Sequence, residues 1–449
     1  MFKKMKNYLT IALTFLFVLF AGLSYSQDFK PEIKVGGVIY TGFTYNADNS
    51  DFISKLDTTS ATGKNSGAAF GYNPVKNQFE TSKNTFQIDR AYINIKASLT
   101  PQISARITPD IYSFTDGSGA TQYAYQLKYA LMDYTPLNLD NGTGLMFEVG
   151  VIPNRWIEGM EKVYGYRGVQ KTLTDYAWTT KAVVSGTSVS RTTSSYFSSA
   201  DLGATIKFTF PEKYADLYLS ILNGNGYKNE GYDNRFKDFM ATAFIYPLQS
   251  MLKTKMDAAK KNNKTRLDGI SEFQVGGFMY LGRLSQGEYG VANGGQYQYN
   301  RFGGMFNFKY NFDNFGYIKL GGEFSLQSNQ VPQVPYPGTD TSITARGISV
   351  FLDFCPPLEA LKEKLCLTFR YDSFDPNTNK PGLSPVYGLT ADNGKQTLMI
   401  IGLMFKPASV LTLGLDYQIL GFENNFVTDY SGTTSSSISR FYFHTIVDF

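Results

Sequence analysis

Histidine is nearly missing from this 449-residue chain, which has one, and cysteine is scarce, with two. So few imidazoles and thiols leave little for a multi-ligand zinc, haem or iron–sulfur site, and no cofactor is expected. Charged residues make up only 18% of the chain, where an ordinary soluble domain carries about 25%. After residue 26 there is no run of 18 apolar residues, so no transmembrane helix is available. No G-x-S-x-G elbow occurs, and the lone His444 reads as a wall residue rather than a catalytic base. An enzyme is therefore not expected. Formal charge is +4, and three of the cations are lysines of an N-terminal leader, so no nucleic-acid partner follows.

What the chain does hold is 42 Gly, 36 Phe and 32 Tyr, with 16% aromatic residues overall. Residues 1–26 have a basic start (Lys3, Lys4, Lys6), an apolar middle and small Ser24 and Ser26 before Gln27. This is the layout of a cleaved secretory signal peptide. The remaining 27–449 alternate apolar and polar side chains in short stretches. Ile103, Ala105, Ile107, Pro109 and Ile111 take one parity, and Ser104, Arg106, Thr108, Asp110 and Tyr112 the other. Tyr125, Leu127, Tyr129 and Leu131 likewise alternate with Gln126, Lys128 and Ala130. Such a period of two puts one face on an apolar medium and the other on water.

Connections alternate between tight (100–102, 211–215, 312–315, 407–409) and long and polar (46–84, 152–198, 224–236, 285–297, 328–342, 376–393, 422–437). Short periplasmic turns and long outer loops mark a membrane barrel. Strands are expected near 34–45, 85–98, 103–114, 121–135, 145–151, 199–210, 216–223, 238–247, 270–283, 299–311, 316–327, 343–354, 365–374, 394–406, 410–421 and 438–449. The fold class is thus all-β: a transmembrane antiparallel β-barrel of about 16 strands, an even number as single-chain bacterial barrels require. It would sit in the outer membrane of a Gram-negative bacterium, against outer-membrane lipid, with a water-filled channel inside. Only residues 27–33 lie between the leader and the first strand, so no plug domain is expected.

Two turn-side connections are longer. Leu248, Met251, Leu252, Met256 and Ala259 predict a short solvated helix within 248–268. Residues 356–364 predict a Pro-started helical turn between Cys355 and Cys366. A disulfide there fits an oxidising periplasm, but sequence does not supply the geometry.

Several segments resemble the phosphate-selective porin family: FQIDRAYINIKASLTPQISARITPDIYSFT (86–115), LKYALMDYTPL (127–137), FEVGVIPNRWIEGMEKVYGYRGVQKTLTD (147–175) and KQTLMIIGLMFKPASVLTLGLDYQ (395–418). The resemblance implies a 16-stranded porin, a homotrimer, that passes small anionic or neutral solutes by diffusion. Phe441, Phe443, Val447 and the final Phe449 resemble the signal read by the barrel assembly machinery.

Parity places Arg90, Tyr92, Asn94 and Lys96 on the lumen side of one strand, Arg106 and Asp110 on the next, and Gln126 and Lys128 on a third. Arg90, Lys96, Arg106 and Lys128 then form a basic patch that favours anions, with Asp110 and Glu148 against it. Phe86 and Ile88 break parity with the later apolar set, as a bulge or an extramembrane extension would make them do. The third outer loop, 152–198, carries Arg155, Trp156, Glu158 and Arg167 and is expected to fold inward and narrow the channel. The alternative is a barrel without transport, serving as a surface adhesin or scaffold through its long loops.

Overall fold

In a computed structural model, described over residues 29–46, 52–54, 72–73, 78–79, 84–115, 121–185, 188–227, 236–262, 264, 266–284, 297–332, 340–376, 378, 395–422, 427–429, 434–435 and 437–449, the chain forms a closed antiparallel barrel. Its sixteen strands are β1 (Glu32–Asn46), β2 (Asn84–Ser98), β3 (Ile103–Thr115), β4 (Thr121–Asn138), β5 (Gly144–Pro153), β6 (Ala200–Thr209), β7 (Ala215–Leu222) and β8 (Asp238–Ile245), then β9 (Gly269–Leu284), β10 (Tyr297–Asn311), β11 (Tyr317–Pro332), β12 (Asp340–Cys355), β13 (Leu365–Asp375), β14 (Gln396–Ala408), β15 (Leu411–Phe422) and β16 (Ser437–Asp448). Every strand expected from the alternation is present. The signal-peptide segment and most of the long loops lie outside the described residues.

Closure comes from β1, which pairs with β2 on one side and β16 on the other. The last residue continues that seam: Gly37 N donates to Phe449 O at 2.7 Å and Phe449 N to Gly37 O at 3.0 Å. Phe441, Phe443 and Phe449 are exposed on the outer face.

Outward positions are apolar and exposed, among them Ile95, Ile107, Tyr125, Leu127, Phe302, Phe324 and Ile401. Inward positions such as Thr205, Thr242, Asn307, Gln327, Asp353 and Asp416 are polar and buried. A lysine or arginine turned outward at mid-membrane would cost about 2–4 kcal/mol, so the pattern fixes which face meets lipid. A closed sixteen-stranded barrel with this exterior belongs to an outer membrane.

Among the register shifts of the described strands, two reset the parity around the predicted cations. The β1–β2 register shifts between Tyr40 and Thr41, leaving Asp89 as the extra residue. Beyond it Ile88 and Phe86 face outward, 46% and 85% exposed, so a bulge accounts for their broken parity. The β3–β4 register shifts between Thr108 and Pro109, with Lys128 as the extra residue. Lys128 and Tyr129 consequently both point inward. Tyr129 and Leu131, expected with the lipid-facing set, are buried inside, because a single inserted residue flips every position after it.

The lumen is also less uniformly wet than alternation predicts. On β14 the inward residues include Leu398, Ile400 and Met404, all buried. They belong to one apolar cluster with the segment between β5 and β6, which contributes Trp156, Met160, Tyr164 and Leu173.

At the short-turn end, residues 249–261 form the exposed helix expected there (Gln249–Lys261). Residues 356–364 form the single turn expected there, Lys362 N donating to Leu358 O at 3.1 Å, and left-handed φ values of 44° and 63° at Lys362 and Glu363 end it. Cys355 and Cys366 are joined by a disulfide across its base.

Candidate functional site

The segment leaving β5 is a helix, α1 (Arg155–Tyr164), that sequence reasoning read only as loop. Its signals are plain in hindsight. Asn154 caps it, its side chain accepting from Trp156 N and Ile157 N, and Gly165 closes it at φ 82°. Trp156, Ile157, Met160, Val163 and Tyr164 recur at helical spacing and are all buried.

That apolar face lies against the opposite wall of the barrel. Trp156 is fully buried, its ring 4.6 Å from the Phe278 ring and 6.0 Å from Phe244, centroid to centroid. Its indole N–H donates to Glu323 Oε2 on β11 at 3.1 Å. Tyr164 packs on Phe351 of β12, with ring centroids 5.3 Å apart. Further on, a Cβ at Gly168 would stand 2.6 Å from Ile446 Cδ1 and 2.9 Å from Tyr40 Cδ1, so a larger residue would have to displace those side chains of the wall. A second short helix, α2 (Leu173–Tyr176), follows, and Tyr176 donates to Asp372 Oδ2 on β13 at 2.6 Å. The segment therefore touches walls on both sides of the lumen.

On the β2–β4 wall the predicted cations meet at Tyr92. Its hydroxyl accepts from Arg90 Nη1 at 2.6 Å and from Lys128 Nζ at 3.1 Å. Arg90 is also 3.5 Å from buried Asp110, which accepts from Gln126 Nε2 at 3.1 Å. Arg106 donates to Asn94 Oδ1 at 2.8 Å and Thr108 Oγ1 at 3.0 Å, with its Cζ 4.4 Å above the Tyr129 ring. Lys96 lies opposite Arg106 in the register but is exposed toward the short-turn end, apart from this cluster.

The loop cations carry acidic partners. Arg155 pairs with Glu148 on β5 and, at 2.6 Å, with Glu158. Burial pushes the Glu158 carboxyl up, but Arg155 and Lys162 outweigh it and hold the group below its usual range. Arg167 pairs with Glu161 and, at 2.8 Å, with Asp175, which also lies 3.8 Å from Lys171. Asp175 is held well below the ordinary carboxylate range, its burial overcome by Lys171, Arg167 and Arg90.

Cavities open on either side of the crossing segment. One, of about 280 Å³ on the long-loop side, is lined by Arg90, Arg155, Lys171, Tyr227 and Arg301. The other, of about 460 Å³ on the short-turn side, is lined by Tyr92, Arg106, Lys128, Arg167 and Lys406. Arg90 and Tyr92, bonded to each other, thus line different cavities.

Arg301 and Lys406 were missed in sequence. The signal for Arg301 was a charge, one of two with Lys309, within a strand of otherwise uncharged residues, which the lipid side would not tolerate. Arg106, Lys128, Arg301 and Lys406 share a further property: among the described residues none has a carboxylate within ion-pair distance. Aromatic faces hold them instead, as with Lys128 Nζ 4.3 Å from the Tyr92 centroid and Lys406 Nζ 5.6 Å from Tyr166. His444, by contrast, is buried with Nε2 2.5 Å from Asp416 Oδ2 and its ring stacked on Tyr442.

No protein-family model matches the chain, and no curated protein matches its sequence. Solved structures do. An anion-selective porin from Comamonas acidovorans aligns over 94% of this chain and 100% of its own, at 8% identity and a TM-score of 0.50. The outer-membrane channel DcaP of Acinetobacter baumannii aligns over 95% and 99%, at 10% identity and a TM-score of 0.49. OprB of Pseudomonas putida aligns over 93% and 94%, at 10% identity and a TM-score of 0.48. At such identities the likeness is one of fold alone, a closed outer-membrane barrel.

Proposed function

We propose that the chain is a passive outer-membrane porin for small hydrophilic solutes, narrowed by the segment between β5 and β6 and preferring anions. The observation that carries the preference is the set Arg106, Lys128, Arg301 and Lys406, cations seated on aromatic faces with no carboxylate in ion-pair reach among the described residues. A ring face orders a cation without cancelling its net charge, so the positive field remains directed into a low-dielectric passage. The paired cations Arg155 and Arg167 contribute less, since Glu148 on β5 and Glu158, Glu161 and Asp175 of the loop lie within ion-pair reach of them.

The resemblance to phosphate-selective porins supports the same reading, together with a homotrimer and assembly through the Phe441, Phe443, Val447 and Phe449 pattern. Cleavage after residue 26 belongs to it as well. The test is a planar bilayer with the purified protein in a KCl gradient. A reversal potential toward that of chloride is expected. A potential toward potassium removes the anion preference, and a channel without conductance removes the porin.

A further inference from the structure

Arg301 on β10 is 5% exposed, and its Cζ lies 5.2–5.3 Å from the ring centroids of Tyr196, Phe197, Tyr280 and Tyr299. The three tyrosine hydroxyls are committed elsewhere. Tyr196 donates to Leu326 O at 2.7 Å, Tyr299 to Asp238 Oδ2 at 2.6 Å, and Tyr280 to the same oxygen. The rings therefore present faces, not oxygens, to the guanidinium. Asp238 is fully buried beneath them and also accepts from Arg283 N at 3.2 Å. A carboxylate hydrogen-bonded to phenols raises the electron density of their rings, which strengthens their hold on the cation. Charge is thus layered, with Asp238 sealed in the wall and Arg301 lining the 280 Å³ cavity.

Only one hydrogen bond of the guanidinium is made among the described residues, Nε to Gln327 Oε1 at 3.1 Å. The terminal nitrogens remain, held rigid by four rings, and a planar fork matches an acceptor that presents two oxygens side by side. Of the acids lining the cavity, Asp201 is occupied by Leu202 N at 2.8 Å and Gly224 N at 2.9 Å, and Asp175 by Arg167 and Lys171. Lys171 and Arg90 add positive charge on the same cavity.

From this geometry we propose that the outer cavity is a binding site for a small organic carboxylate, gripped by the Arg301 fork before the solute meets Arg90 and the crossing segment. The site rests on the porin reading and deepens it. It is occupied from the long-loop side, because the cavity lies on that side of α1 and α2.

Sodium acetate is the probe, added to either side of single channels carrying chloride current. Wild-type channels should show a saturable reduction of current from the long-loop side, with at least tenfold weaker reduction from the other. Arg301→Lys keeps the charge and loses the fork. It should raise the half-blocking acetate concentration about tenfold while the reversal potential stays on the chloride side. Arg301→Gln should abolish the block and shift that potential toward potassium, with heat-modifiable mobility on gels reporting that the barrel folds. Equal block in wild type and Arg301→Lys, or equal block from both sides, overturns the site while a chloride-directed reversal potential leaves the porin reading standing. No current through the wild type overturns both.

Discussion

Trp156, the second residue of α1, donates its indole N–H to Glu323 on β11, 3.1 Å away on the opposite wall. Thr174 donates to the same carboxylate oxygen at 3.1 Å, so one acid on the barrel wall holds both helices of the crossing segment. Replacing Trp156 by Ala removes a fully buried ring, at about 3–5 kcal/mol, and strips Glu323 of a buried donor. The segment should loosen and single-channel conductance should rise and become noisier. Deleting 156–171 should enlarge it further. A conductance equal to wild type in both variants would mean that the segment does not limit the path.

The seating of Arg106 and Lys128 on aromatic faces makes a second expectation. A unit charge about 4 Å from the path is worth about 1 kcal/mol in water-like dielectric, or roughly fivefold in an equilibrium. Arg106→Gln and Lys128→Gln should each lower the chloride-to-potassium permeability ratio two- to fivefold. Arg155→Gln, whose charge is already answered by Glu148 and Glu158, should lower it less. Measured in 1 M salt, where the Debye length falls to about 3 Å, the differences among all three should shrink. An Arg155 effect larger than that of Arg106 would refute the distinction between paired and aromatic-held cations.

How far the sequence could carry this depended on what kind of signal each feature leaves. The sixteen strands were legible because alternation along each is enforced by lipid on one side and water on the other. The inward set Arg90, Tyr92, Asn94, Lys96 and Arg106 followed from that alternation. What alternation cannot report is an inserted residue, and the bulge at Lys128 turned Tyr129 and Leu131 inward against expectation. Nor does parity tell which inward apolar residues have something to pack on: Leu398 and Ile400 are sensible inside only because a loop far off in sequence fills that half of the lumen. The cap at Asn154 and the spacing of Trp156, Met160 and Val163 were readable, and they were passed over because a polar segment between strands was taken as irregular throughout. Contacts between remote residues, such as Arg301 with Tyr196 and Phe197, leave no local trace.

Lys171 gives the passage a pH dependence. Burial, with Arg90 and Arg167, outweighs the pull of Asp175 at 3.8 Å and brings its ammonium down to about 7. Lysine is cationic below its pKa, so this charge is present at pH 6 and largely gone at pH 8. Anion preference measured by reversal potential should therefore weaken across that interval. Lys171→Arg, which stays charged, should flatten the profile at the acidic value. A wild-type profile that is already flat from pH 6 to 8 would contradict the assignment.

At the short-turn end, the Cys355–Cys366 disulfide spans a turn that ties down its neighbours. Glu363 in that turn accepts from Gly316 N at 3.0 Å and pairs with Arg266. Arg266 itself donates to Phe312 O at 2.8 Å and Gly316 O at 2.9 Å. Three connections, 264–268, 312–316 and 356–364, are thereby pinned by one carboxylate whose position depends on the closed turn. Opening a loop of this size costs about 2–3 kcal/mol in the chain-entropy picture. The paired Cys355→Ser, Cys366→Ser variant should lose its folded gel mobility at a lower temperature than wild type. Dithiothreitol should reproduce that shift in wild type and do nothing to the variant. Conductance should stay the same, because the turn lies at the foot of β12 and β13 and contributes none of the cations that line the two lumen cavities. A conductance change without a stability change would reverse this account of the clasp.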